Sequence, residues 1–488
     1  MTEPEGTPFG RKVTEQAEAQ PDATALVIVH QGGSETALTW SQLEHRANQW
    51  ARHMKIASVT AGSKVVLAVP NSADLILATL ASWKLGAVPI PMRWDLPEWE
   101  RLRLLDVITP AFTLTEDNRS AHATAAGQQA HDPLPDAISP SVNGICSSGS
   151  TGLPKIILNV QPALWTPRHS EPFMSTWAEV AQPQRILVPA PMYHTNGFTT
   201  LSNLLGGDFL VVLEKFDAAL MLDVIERHAI TNFTATPTML SRIADVPDVE
   251  RRDLSSVAWI LQGAAVMPPT LLRKWFDLLS PERIVMAYGM TENLGLTALR
   301  GDEWLAHPGS VGRGFRDTEL RILDAAGQPV PAGVIGDIYL KAPMSGAYRY
   351  LGGAAQLPTT ADGFTSAGDL GWLDEDGYLY IADRRSDMVV TGGANVYPAE
   401  VESALIDHEL IVDVVVIGLA DTAWGRRVHA VVQPVDPHRP PTADDVIAYA
   451  KSKLAGYKVP KTVEFVERIP RTEATKVNRA AMVEARGG

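Results

Sequence analysis

One cysteine, Cys146, stands among 488 residues, so no intrachain disulfide can form. A reducing compartment suits such a chain. Set beside a glycine-rich stretch, this thiol reads as a small buried hydrophobe rather than as a nucleophile. Long hydrophobic runs are missing too, and no apolar stretch approaches the length that crosses a bilayer, which argues against membrane insertion. The opening residues MTEPEGTPFGRK place acids before any base and contain no apolar core of a secretory leader. Together these absences predict a cytoplasmic protein. Positive charge is scarce: 42 Lys and Arg stand against 56 Asp and Glu, a formal charge of −14, and no Lys/Arg block offsets it. Nucleic acid and anionic lipid would be repelled, so any phosphate-bearing ligand must be gripped locally, by loops and single cations. No fixed-period repeat is visible.

What is present is an ordinary soluble composition, 45% apolar and 20% charged, in a chain too long for one hydrophobic core. At least two domains are expected, one much larger than the other. Thr39 with Gln42 has capping-box spacing at the head of a helix through Leu43, Ala47 and Trp50. Lys64–Val69 is a short apolar strand stopped by Pro70. Asn71 can cap a helix carrying Leu75, Leu77, Leu80 and Trp83, Gly86 ends it, and Ala87–Pro91 is a further strand. That β-α-β order predicts a parallel sheet in an α/β domain. Asn118–Asn143 lacks either period and reads as a surface connection. Strands are then expected at Ile186–Val188, Phe209–Leu213, Asn232–Ala235 and Val257–Leu261, with helices near Ala218–His228 and Pro269–Leu279.

From about Asp317 short strands with turn signals predict a β-rich subdomain over about 317–383. After Arg384–Asp387 the pattern is mixed again, predicting a compact α+β module over 385–488. Its elements are a helix near Pro398–Ile406, strands near Val412–Gly418 and Val428–Pro434, and a helix near Ala443–Leu454. The large region is then 1–384. The sequence leaves the oligomeric state open, a homodimer included.

The strongest local signal is Ser147-Ser148-Gly149-Ser150-Thr151-Gly152-Leu153-Pro154-Lys155. Glycines let the backbone approach a ligand, hydroxyls and N–H groups point at phosphate oxygens, and Lys155 adds a cation. It is a phosphate-gripping loop without the Gly-Lys-Ser/Thr ending of a Walker motif; the less favoured alternative, taking it alone, is a solvated Ser/Gly turn. Other segments accompany it in order: Pro191-Met192-Tyr193-His194-Thr195-Asn196-Gly197, Gln262-Gly263-Ala264-Ala265, Tyr288-Gly289-Met290-Thr291-Glu292, Gly368-Asp369-Leu370-Gly371, Asp383-Arg384-Arg385-Ser386-Asp387, Gly392-Gly393-Ala394-Asn395-Val396-Tyr397-Pro398, and Lys476-Val477-Asn478-Arg479 after Pro470-Arg471.

On these segments the chain resembles the adenylate-forming superfamily of acyl-CoA synthetases, peptide-synthetase adenylation domains and luciferases, over nearly its whole length. The resemblance implies a large nucleotide- and acyl-binding region joined to a small mobile module. It implies ATP with Mg²⁺ and coenzyme A as cofactors, acyl-AMP as intermediate, and a small-molecule carboxylic acid or its adenylate as partner. Asp369 would accept from the ribose diol, Arg384 reach ribose and phosphate, Thr291 donate to the α-phosphate, Glu292 hold Mg²⁺ and Tyr288 stack on adenine. Lys476 would stabilise the anionic phosphoryl group as the carboxylate attacks it, His194 would stand near the acyl pocket and thiol route, and Gly392-Gly393 would line the pantetheine tunnel. Arg426, Arg427, Tyr457 and Lys458 are further candidates for coenzyme A.

No acid stands near His194 to pair with an α-amino group, so a plain carboxylic acid is favoured over an amino acid. Small residues at Gly263-Ala264-Ala265 and Gly295, with Met290 and Leu294 nearby, point to a bulky apolar acid, polycyclic or fatty. Three departures stand out. Ile156 follows Lys155 where the family has glycine, Thr475 precedes Lys476 where it has glycine, and Ser366-Ala367 leads into Gly368-Asp369. Ser386 occupies a hinge position usually held by Asp or Lys. A β-branched Ile156 resists positive φ and Thr475 stiffens the approach of Lys476. A second reading follows, in which the chain only thioesterifies an acyl-AMP made elsewhere; a third is a non-catalytic adenylate binder.

Overall fold

The computed structural model describes residues 5–147, 155–343, 346–353, 356–384, 387–391, 394–422, 424–471 and 477–487. Helices cover the faces of a nine-stranded sheet whose order is Arg313–Phe315, Leu296–Arg300, Ile284–Gly289, Trp259–Gln262, Asn232–Ala235, Arg185–Val188, Phe209–Leu213, Thr24–Val29 and Glu35–Thr39. The six strands from Ile284–Gly289 to Thr24–Val29 run parallel, and the outer ones are antiparallel. Both faces are buried, so the parallel strands are near-continuous Val, Ile and Leu.

A second sheet, parallel and three-stranded, is ordered Val88–Pro91, Lys64–Ala68, Phe112–Thr115. The capping box forms as expected: Gln42 N donates to Thr39 Oγ1 at 3.2 Å and Thr39 N to Gln42 Oε1 at 3.1 Å, opening the helix Trp40–Ile56. The next helix, Ala73–Lys84, is capped one residue later than expected, by Ser72, whose Oγ accepts from Leu75 N at 3.3 Å. Asn71 has a larger task. Its Nδ2 donates to Ala190 O and Leu213 O, each at 3.0 Å, and its Oδ1 accepts from Met192 N at 2.7 Å. One side chain thereby satisfies buried backbone groups where the two sheets meet.

The expected connection Asn118–Asn143 is in its first half a helix, Glu116–Gly127. Only Ala126 of that helix is buried, so its face is too narrow to print a 3.6-residue period, while its alanines favour the helix intrinsically.

The four-stranded antiparallel sheet Glu319–Leu323, Gly336–Lys341, Thr365–Leu373, Leu379–Arg384 is the expected β-rich unit. Between its strands the chain leaves it once. Tyr348–Leu351 pairs instead with Lys155–Asn159, which pairs with Asn143–Ser147. Residues 389–483 contain two apolar clusters of their own, on either side of the sheet Ile411–Asp421, Gly425–Pro434, Thr462–Phe465.

Candidate active site

The parallel strands of the large sheet end together, and their loops form one wall of a cleft of about 3200 Å³. The antiparallel unit and the C-terminal residues supply the others. Ligands of open α/β sheets bind outside the carboxyl ends of the strands. Strand Trp259–Gln262 runs into Gly263, Ala264 and Ala265; Gln262 Nε2 donates to Ala265 O at 2.6 Å and to Gly263 O at 3.2 Å, and so holds that loop. Ala264 takes φ +74°, a left-handed conformation that costs a non-glycine residue on the order of 1 kcal/mol or more. A Cβ added at Gly263 would meet nothing nearer than 3.8 Å, so this glycine borders open space.

Strand Ile284–Gly289 delivers Tyr288 and Gly289, and Met290, Thr291 and Glu292 follow in a turn closed by Asn293 N donating to Met290 O at 3.0 Å. Tyr288 OH donates to Asp369 Oδ2 at 2.6 Å across two sheets. Asp369 lies opposite Arg384 in the strand register, just after Gly368 at φ +74°, whose N–H is held by Ser366 Oγ at 3.1 Å. Thr291 and Thr195 hydroxyls are 3.3 Å apart. His194 precedes the short helix Thr195–Phe198, its ring centroid 4.5 Å from that of Tyr193.

Sequence reasoning missed Tyr350. Its strand inserts beside Lys155–Asn159, so its OH donates to Glu292 Oε1 at 2.7 Å while Lys155 Nζ lies 5.2 Å from its ring centroid. Burial first, then the Glu292 carboxylate, raises the Tyr350 pKa far above that of free tyrosine, so the hydroxyl stays a donor. No local period carries this signal, because the pairing joins residues far apart in sequence.

Lys155, His194, Gly263, Ala264, Ala265, Tyr288, Gly289, Met290, Thr291, Glu292 and Asp369 all line the one cleft. Ser147 ends a strand opposite Lys155, so the serine-glycine loop springs from a hairpin. Ser148, Gly149, Ser150, Thr151, Gly152, Gly392, Gly393, Ser386, Thr475 and Lys476 lie outside the described residues. Arg426 and Lys458 line the cleft from the C-terminal side, with Lys458 Nζ 2.5 Å from Glu400 Oε1. Arg427 is turned to the carbonyl of Ala420 at 2.7 Å, and Tyr457 is exposed.

Two expectations need correction. Leu294 does not face the cleft; it is fully buried in the cluster with Ile322 and Ile338, whereas Gly295 lines the cleft as expected, and a Cβ there would meet Thr318 at 2.6 Å. Ile156 is an ordinary strand residue, paired with Cys146 and Leu351 and buried among Val66, Leu104 and Leu158. Its side chain fills a core and is not asked for positive φ, so it gives no steric ground for impaired phosphate binding.

Cys146, half-buried at the edge of the cleft, packs against the same cluster, and the apolar surroundings raise its pKa to about 12. At pH 8 its thiolate fraction is then on the order of 10⁻⁴. Iodoacetamide is expected to label it at least roughly 100-fold more slowly in the folded protein than in urea; comparable rates would disprove its inertness.

Among the described residues no three acidic, His or Cys side chains gather as a metal cage. Glu292 offers a single carboxylate beside a hydroxyl, a donor set that fits Mg²⁺ completing its shell with phosphate oxygens and water rather than a resident metal.

A large α/β region, an antiparallel unit and a small α+β unit around one cleft define the adenylate-forming class of enzymes. Residues 13–144 and 141–350 match the family model for AMP-binding enzymes, and residues 400–476 match that for the AMP-binding enzyme C-terminal domain. The chain belongs to the AMP-binding enzyme family. A feruloyl-CoA synthase from an Amycolatopsis species is 32% identical, covering 95% of this chain and 96% of that protein. An indoleacetate–CoA ligase from Aromatoleum aromaticum is 30% identical, covering 96% of each. The o-succinylbenzoate CoA synthetase of Bacillus subtilis, solved with its acyl-adenylate intermediate, superimposes with a TM-score of 0.84 at 26% identity over 98% of both chains.

Proposed function

We infer that this chain is an acid–CoA ligase that converts a carboxylic acid to its acyl-AMP with MgATP and then passes the acyl group to the thiol of coenzyme A. The observation that carries this reading is the convergence of Tyr288, Asp369, Glu292 and Lys155 from four separate strands and loops on one cleft beside His194. Asp369 receives the ribose hydroxyls; a carboxylate has acceptor sites beyond the one Tyr288 uses. Tyr288 then stands with its ring against adenine, on the wall formed with Gly263, Ala264 and Ala265. Thr291 donates to the α-phosphate and Lys155 with the loop 147–152 grips the remaining phosphates. Glu292 would hold Mg²⁺, which when bound would supply neutralisation of the triphosphate charge. Arg384 reaches ribose and phosphate, and Lys476 opposes the negative charge that grows as carboxylate attacks phosphorus, an interaction stronger in the transition state than before it.

Arg384–Asp387 divides 1–384 from a mobile module, 385–488, with the β-rich subdomain at about 317–383 inside the larger part. Rotation of that module withdraws Lys476 and brings Gly392-Gly393 to line the thiol's path past His194. The three relatives are named for aryl acids, which favours a bulky aryl acid here. The enzyme works in the cytoplasm without a nucleic-acid or membrane partner.

Full adenylation is favoured over thioesterification alone because Ile156 points into a core. The test is acid-dependent pyrophosphate exchange with MgATP over a panel of aryl acids, followed by thioester formation. Exchange together with thioester is the expected result. Thioester from synthetic acyl-AMP without exchange would leave only the second half-reaction, and absence of both would leave an adenylate binder.

A further inference from the structure

The cleft continues downward as a slot along one face of the large sheet. Its walls are apolar: Ile186, Leu261 and Ala287 project from the strands, Phe198 from the helix over them, and Phe173 and Phe315, stacked at 5.2 Å, close the far side. Its floor is polar. At the amino ends of three adjacent strands stand Gln184, Asn232 and Trp259; Asn232, Trp259 and Asn203 line the slot, and Gln184 and Asp208 lie behind them.

The directions of the hydrogen bonds there are fixed in a chain. Asp208 accepts from Gln184 N at 2.7 Å, Gln184 Nε2 at 3.4 Å and Asn203 Nδ2 at 3.3 Å. Burial raises the Asp208 pKa only to about 6, so near neutral pH it is the ionised acceptor. With its amide nitrogen turned to Asp208, Gln184 presents Oε1 to Asn232 Nδ2 at 2.6 Å and to Trp259 Nε1 at 3.2 Å. Asn232 must then direct Oδ1 the other way. This side chain is 3% exposed, lines the slot, and among the described residues no donor meets its Oδ1. That oxygen is therefore an acceptor open to the slot, where a donor on a bound acid can reach it.

Resting on the ligase reading, we propose that the acid this enzyme activates is an aryl acid carrying a hydrogen-bond donor, a hydroxyl or ring N–H, at the end remote from its carboxyl group, and that Asn232 Oδ1 is the acceptor that selects it. Asn232 opens its strand four residues before Thr236, which also lines the cleft, about 13 Å along the chain at 3.3 Å per residue, so it stands at the deep end of the slot. Apolar walls select the ring, and the floor selects its substituent.

The test uses the full chain and two adenosine sulfamate analogues, which mimic the acyl-AMP, one bearing 4-hydroxycinnamate and one cinnamate. Wild type is expected to bind the hydroxylated analogue roughly 10-fold or more tighter. In Asn232→Leu that preference should vanish or invert, while affinity for the cinnamate analogue stays within a few-fold and so reports an intact slot. Equal affinities in wild type, or an unchanged preference in the variant, would overturn the proposal. Because binding is read directly, this result is separate from failure of the ligase reading, which would show as no thioester from any acid.

Discussion

Replacing Asp369 by alanine is expected to lower kcat/KM for ATP by roughly 10²- to 10³-fold. A carboxylate accepting hydrogen bonds from both ribose hydroxyls makes charge-assisted contacts, each of roughly 1.5–3 kcal/mol. Its loss also strips the acceptor from Tyr288 OH, which now donates to it at 2.6 Å. On the proposed reading this contact helps to hold the Tyr288 ring against adenine, so its loss would add to the effect. Asp369→Asn should fall between, since an amide retains one acceptor oxygen. Steady-state kinetics with ATP varied checks this, and binding of AMP provides an independent reading, because the ribose is common to substrate and intermediate. Both half-reactions should suffer alike. A change below about threefold in Asp369→Ala would remove Asp369 from the nucleotide site.

The second large effect lies far from the chemistry. Lys84, on the helix Ala73–Lys84, is inserted between two other helices, with Nζ 3.0 Å from Glu44 Oε1, 3.1 Å from Thr14 Oγ1 and 3.2 Å from Gly10 O. Glu44 Oε2 lies 2.8 Å away as an ion contact, and Oε1 also accepts from Thr14 at 2.8 Å and Asn48 at 2.9 Å. Side chains of the ion pair are 4% and 6% exposed. Burial lowers the Lys84 pKa and Glu44 opposes that shift. Gly10 permits the approach, since a Cβ there would stand 2.8 Å from Lys84 Cα.

Lys84→Met would leave the Glu44 charge buried without its cation, at a cost of about 3–5 kcal/mol. Thermal unfolding should begin about 4–6 °C lower, with kinetic constants at 25 °C unchanged in the material that remains folded. Adding Glu44→Leu should recover most of the loss, because an apolar pair carries no desolvation penalty. A double variant as unstable as the single one would show that packing, not the orphaned charge, set the cost.

Legibility followed the range of the interactions. The Thr39–Gln42 capping box, the strand Phe209–Leu213 and the helix Ala218–His228 are written in neighbouring residues and stand where expected. Glu116–Gly127 was illegible because one buried alanine makes no stripe. Asn71 looked like a local cap, yet its amide is spent on two carbonyls more than a hundred residues away. Ile156 looked like an intrusion into a phosphate loop, because loop and strand cannot be told apart at a boundary from one residue.

By itself the sequence determined the family, the order of its segments and the residue types able to meet an adenylate, since those groups must be chemically right wherever they stand. Tertiary structure alone decided that Tyr350 leaves its own sheet to meet Glu292, that Tyr288 meets Asp369, and that Asn232 turns its carbonyl to the floor of a slot. The physical reason is that side-chain type is a local property, whereas donor direction and cavity depth depend on which strands pair, and pairing is settled by burial summed over the whole chain.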